Sequence, residues 1–111
     1  MAGIIISRNN DVLIEVAKGN LDILAHGQVT PVGGHLARCG NDHFRRMRYS
    51  TTGRSQRELM WNALQLLKTN QRQEDFIPDL DFMKGYFEFV VTEKGGKIKF
   101  LDYKVNPAYL V

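Results

Sequence analysis

From Ser55 to Asn70 apolar side chains recur at the spacing of a helical turn, and this repeat restricts the fold more than any other stretch. At roughly 100° per residue, Leu59, Met60, Ala63, Leu64, Leu66 and Leu67 fall within one arc of about 160°. Gln56, Glu58, Asn62, Gln65 and Thr69 lie mostly outside it. Ser55-Gln56-Arg57-Glu58 has the spacing of a capping box, in which the serine oxygen accepts from a free first-turn amide and the glutamate reaches back. The expectation is an amphipathic helix, the longest in the chain, whose stripe must lie on a broad apolar surface. Strand-like segments on both sides can supply that surface.

The clearest of them follows the helix. Tyr86 to Thr92 and Lys97 to Val105 are rich in aromatic and branched residues and are joined through Glu93-Lys94-Gly95-Gly96, which reads as a hairpin. Closing it at Gly95-Gly96 pairs Val91 with Phe100 and Val90 with Leu101, and sets Glu88 across from Tyr103. Before the helix, Ile4-Ile5-Ile6 is a short strand stopped by Arg8-Asn9-Asn10-Asp11. Val12, Ile14 and Val16 alternate, as do Leu21, Ile23 and Ala25, around Lys18-Gly19-Asn20, and are read as a hairpin. The competing reading, one helix over 12–27, would carry Gly19 in its middle at a cost of about 1 kcal/mol.

Gln28 to Gly40 holds Pro31, Gly33, Gly34 and Gly40 and reads as a loop. His43 to Ser50 reads as a strand with arginine on both faces, and so as an edge or a ligand-facing strand. Gln71 to Asp75 reads as a polar linker, and Pro78 as the start of a short helical turn through Met83. The sum is an α+β fold over one domain, residues 1–111. It is a single-layer antiparallel sheet of about six strands in the order ββββ-α-ββ, with the main helix packed on it.

With 43% hydrophobic and 24% charged residues the composition is globular, and no apolar run reaches membrane-spanning length. The first residues lack the charged, apolar and cleavage regions of a secretory signal, and the single cysteine, Cys39, fits a reducing compartment, so a cytoplasmic protein is expected. A net charge of +3 is too small to imply nucleic acid by itself. Its distribution says more. Of eight arginines, Arg38, Arg45, Arg46, Arg48, Arg54 and Arg57 lie between residues 38 and 57, where Asp42 is the one acid. The run leads into the start of the helix, where free amides and the macrodipole favour an anion, and arginine adds forks that match phosphate.

The expected ligand-binding set is therefore Arg45, Arg46, Arg48, Arg54, Ser55, Arg57, Trp61 and Lys68. Trp61 lies off the apolar stripe, beside Arg57 and Lys68 on the helical wheel, where an indole can stack on a base or anchor a partner. The expected function is non-catalytic recognition of a phosphate-bearing ligand, nucleic acid or nucleotide, with no cofactor. A compact chain of this kind also suits an inhibitor or sequestering factor of the sort that phages and mobile elements encode. A protein target would then meet Trp61 and the apolar tail Tyr109-Leu110-Val111, and the same tail and the arginine edge are compatible with a homodimer. His35, Cys39 and His43 recur every four residues, but the glycines around them spoil the helix that would gather them, and no metal site is expected.

Gly85-Tyr86-Phe87-Glu88 and Leu101-Asp102-Tyr103-Lys104 resemble the motif of PD-(D/E)xK nucleases over roughly 20 residues. The resemblance implies Glu88 and Asp102 as ligands of a divalent metal and Lys104 as the lysine that helps activate water. Such a nuclease is a second alternative function, beside the protein-directed inhibitor.

Overall fold

A computed structural model describes residues 1–39, 43–44, 47–69 and 81–104. The chain enters through two strands, β1 (Ala2–Ser7) and β2 (Asp11–Ala17), paired antiparallel from Ser7↔Val12 to Ala2↔Ala17. Asn9 and Asn10 form the turn between them, closed by the Arg8 amide donating to the Asp11 carbonyl at 2.8 Å. Asparagine suits so short a connection because it tolerates the backbone angles that two-residue hairpin turns demand. There follow α1 (Leu21–Ala25), β3 (Val32–Cys39), β4 (His43–Phe44), β5 (Arg48–Tyr49) and α2 (Arg54–Gln65). The chain continues through β6 (Lys68–Thr69), β7 (Asp81–Phe82), β8 (Gly85–Val91) and β9 (Ile98–Lys104). The main sheet runs β4-β3-β2-β1-β8-β9, with β5 also paired to β3, and β6 and β7 form a separate small ladder.

Alternation along the strands gives the sheet two unlike faces. On one, Ile5, Val12, Ile14, Val16, Leu36, Phe87 and Phe89 are buried and meet Met60, Ala63 and Leu64 of α2, together with Leu67 and Phe82. Burying each such side chain contributes about 1.5–3 kcal/mol, which is why the apolar stripe of α2 needs this sheet face. On the other face Ile4, Ile6 and Leu13 are only half-buried. α1 lies against β1 and β8. Ala2, Ala17 and Leu24 are buried without joining the main core, so α1 closes the Ala2 end of this second face.

The α+β architecture, the single antiparallel layer and the packed helix agree with the sequence reading, and several local expectations are corrected. Residues 21–25 are helical, so the 12–27 hairpin does not form. β2 pairs with β1 and β3, and a five-residue helix that buries Leu24 replaces the expected second strand of that hairpin. Residues 32–39 are a strand and not a loop, because Gly33 and Gly34 serve a close approach. A Cβ on Gly34 would stand 2.4 Å from the Met47 Cε and 3.1 Å from the Ile14 Cγ2. α2 begins one residue before Ser55 and ends at Gln65, short of Asn70. Its N-cap is Gly53, with no side-chain cap, so Ser55 does not form the capping box. Thr51 takes over this corner, its Oγ1 accepting from the Gly53 amide at 3.1 Å and donating to the Gln56 Oε1 at 2.8 Å.

At the other end the Leu66 and Leu67 amides donate to Ala63 and Leu64, a tightened last turn that sinks Leu67 into the core and leaves Leu66 outside. The chain is then drawn into β6, and the Met83 amide donates to the Leu67 carbonyl at 2.8 Å. Asp81 and Phe82 are therefore strand and not part of a helical turn, with Phe82 buried. The β8–β9 hairpin forms as expected in a different register. Its loop is a four-residue turn, residues 93–96, so Val91 faces Ile98, and a bulge between Glu88 and Phe89 leaves Leu101 unpaired. Gly95 and Gly96 take positive φ of 84° and 59°, which this turn requires. The linker at 71–75, Pro78, Arg45, Arg46 and the tail Tyr109-Leu110-Val111 lie outside the described residues.

Candidate ligand-binding face

The second sheet face carries its side chains in cross-strand rows. The register places His35, Leu13, Ile6, Tyr86 and Lys104 in one row, and Gly33, Glu15, Ile4, Glu88 and Asp102 in the next. Beyond β3, Arg48 pairs with His35. A concavity of about 480 Å³ opens over the aliphatic centre, Ile4, Ile6 and Leu13, and its lining also includes Glu15, Gly33, His35, Arg48, Tyr49 and Ser50. This volume suits a small ligand with an apolar body.

The rim is built by the return of β5 alongside the glycines of β3. The Ser50 amide donates to the Gly33 carbonyl at 2.8 Å, and the Gly33 amide donates to the Ser50 Oγ at 2.7 Å. The Ser50 hydroxyl therefore keeps its own proton to donate. A Cβ on Gly33 would press on the Ile14 carbonyl oxygen at 3.2 Å and reach the Glu15 Cγ and the Ser50 Oγ at 3.9 Å, so bare backbone lies between a carboxylate on one side and a hydroxyl on the other. Among the described residues, no carboxylate is paired with Arg48. One end of the rim is rigid: Arg8 donates twice to Asp11, at 2.6 and 2.7 Å, and the His35 Nε2 lies 3.1 Å from the Asp11 Oδ2. Burial pushes the Asp11 carboxyl up, but hydrogen bonds and charge from Arg8 and His35 together outweigh it and hold the group below the usual aspartate value.

The other expected site residues are distributed around α2. Arg54 Nε donates to Glu58 at 2.9 Å across one turn, so that guanidinium already has an acid. Ser55 is exposed in the first turn. Arg57 Nε donates to the Thr51 carbonyl at 2.7 Å, and its guanidinium stands 5.1 Å from the centre of the Tyr49 ring. Burial raises the Tyr49 hydroxyl above its ordinary value, opposed by the Arg57 charge. Trp61 is 37% exposed on α2, the helix that covers the sheet face opposite the concavity. Lys68 belongs to β6, so the helical wheel that set it beside Trp61 does not apply. Within the sequence-expected set, Arg48 is the described residue that lines the concavity. Glu15 and Ser50 were missed because each stands alone in sequence, His35 was weighed only with Cys39 and His43 as a metal ligand, and only the register of β2, β3 and β5 gathers the three.

The bulge in β9 corrects a further expectation. Glu88 faces Asp102 and not Tyr103, so the two carboxylates share the open face. Glu88 Oε1 accepts from the Tyr86 hydroxyl at 2.9 Å, and Lys104 Nζ lies 3.6 Å from the Asp102 Oδ2. Among the described residues, no three His, Cys, Asp or Glu side chains cluster closely enough to hold a metal ion. His35 and Cys39, four apart on a strand, are separated by roughly 13 Å along it.

Fold and face together define an α+β protein with a single sheet layer and an open, rimmed face. The chain matches no protein-family model, no curated protein and no solved structure. Among the described residues no helix is long and apolar enough to cross a membrane.

Proposed function

We propose that the chain is a non-catalytic receptor for a phosphate-bearing ligand, a nucleotide in preference to an extended nucleic-acid strand. The observation that carries this reading is Arg48, without a carboxylate partner among the described residues, on the rim of a concavity floored by Ile4, Ile6 and Leu13. Guanidinium binds phosphate through a planar fork, and the Ser50 hydroxyl offers a second donor beside it. A flat heterocycle lies on the aliphatic floor. A concavity of this size takes one nucleotide, whereas a strand of nucleic acid needs a continuous basic track, and Arg54 is occupied by Glu58.

Calorimetric titration tests the reading with nucleoside monophosphates and the matching nucleosides. Removing the phosphate should weaken binding about 10- to 100-fold, as expected for hydrogen bonds to a charged group. Arg48→Ala should produce the same loss. Affinity should fall only shallowly with salt, since a mononucleotide has no condensed counterion atmosphere to release, where a bound strand would give a slope that steepens with each phosphate contacted. Equal affinity for nucleosides and nucleotides rejects the proposal.

A further inference from the structure

Resting on the nucleotide reading, we infer that the face selects guanine, with Glu15 reading the Watson–Crick edge of the base. Glu15 is the carboxylate that lines the concavity, it is exposed, and among the described residues it forms no ion pair. An ionised carboxylate can only accept hydrogen bonds, so whatever part of the ligand reaches it must present donors. Ile4 lies beside Glu15 in the same row, which gives a heterocycle that meets the carboxylate an aliphatic surface to rest on. On the other side Gly33 places no side chain between Glu15 and Ser50.

Charge is therefore divided across the sheet: the Arg48 cation and the Ser50 hydroxyl stand at the β5 rim, and the Glu15 carboxylate stands two strands further in, on β2, in the row that Ser50 ends and one row along from Arg48. A nucleotide bound with its phosphate at the rim turns its base edge toward the carboxylate. Guanine alone among the common bases sets two adjacent N–H donors, the ring N1–H and the exocyclic amino group, against the two oxygens of one carboxylate. Adenine and cytosine set a ring acceptor beside their amino donor, and uracil flanks its one donor with two carbonyls. A carboxylate facing any of these meets at least one lone pair. Mismatch leaves polar groups unpaired, and sites built on such contacts discriminate strongly.

The test is calorimetric titration of the full chain with GMP, AMP and ribose 5-phosphate, for the unchanged protein, Glu15→Gln and Arg48→Ala, each verified as folded by circular dichroism. The expected result is GMP binding at least about tenfold tighter than AMP, a ratio that falls toward one in Glu15→Gln and is kept in Arg48→Ala while both affinities drop. GMP and AMP binding alike, with both lost in Arg48→Ala, overturns guanine selection and leaves the phosphate reading standing. A GMP preference that survives Glu15→Gln overturns Glu15 as the reader. Absence of binding by all three probes overturns the phosphate reading and the inference with it.

Discussion

Gly3→Ala is a severe substitution although it adds one methyl group. Gly3 lies opposite Phe89 in the β1–β8 ladder, and the Phe89 ring folds across it. A Cβ at Gly3 would fall 2.0 Å from the ring's Cζ and 2.4 and 2.7 Å from its two Cε atoms. Carbon atoms rest about 3.5–4 Å apart, so the ring must retreat by roughly 1.5 Å. It has no free direction, because Phe89 is completely buried and meets Phe100 edge-on at 5.9 Å. Overpacking of this kind costs about 1–3 kcal/mol, and the lack of an escape route places Gly3→Ala toward the upper end. For a domain of this size that lowers Tm by about 10 °C or more. Phe89→Leu alone should also destabilise, by leaving a void. The double variant should recover part of the sum, with a favourable coupling of about 1–3 kcal/mol, since a smaller side chain makes room for the methyl. Urea unfolding followed by circular dichroism measures all four corners of this cycle. A stability for Gly3→Ala within about 0.5 kcal/mol of the unchanged protein, or strict additivity in the cycle, would refute the packing argument.

Asp11→Asn should cost about 1 kcal/mol at neutral pH, as expected for loss of a half-buried, doubly bonded ion pair. Because the folded Asp11 carboxyl titrates below its usual value, its stabilisation is full above about pH 4 and fades as pH falls through the folded value. Urea melts taken down to about pH 2 should show the gap between variant and parent closing, and a constant gap rejects the linkage. Ser7 is completely buried, and its hydroxyl has no partner among the described residues, so Ser7→Ala should leave stability unchanged or raise it by up to about 1 kcal/mol by the same melts. Trp61→Ala should leave nucleotide affinity unchanged in calorimetry, since α2 packs on the opposite sheet face and Trp61 does not line the concavity; a loss of affinity would move the site to the helix.

The parts of this fold legible in the sequence are those set by neighbouring residues. The stripe from Leu59 to Leu67 announced a helix on a sheet, and the aromatic run from Tyr86 with its Gly95-Gly96 turn announced the last hairpin. Where a residue's meaning depended on a distant partner, local reading failed. Gly33 and Gly34 signal a break when read alone, yet they are flat places where Met47 and Ser50 cross the strand. Leu21 to Ala25 alternates well enough for a strand, but β2 already had its two neighbours, β1 and β3. The candidate site followed the same rule. Arg48 stood out within a run of arginines, whereas Glu15, His35 and Ser50 acquire a shared purpose only from the register of β2, β3 and β5.

The extra residue in β9 also bears on how molecules of this chain meet one another. A straight border strand is a template on which a second copy can continue the ladder and begin an aggregate. Among the described residues β9 forms that border, and at Leu101 it falls out of step, so that Phe100 and Tyr103 both turn toward the core side instead of alternate residues doing so. An approaching strand in ordinary phase can match the border before the irregularity or after it, but not both, and Lys99, Asp102 and Lys104 keep the remaining stretches charged. The price of re-phasing one hairpin is a single unpaired leucine, and the return is a rim on which copies of this chain cannot easily stack.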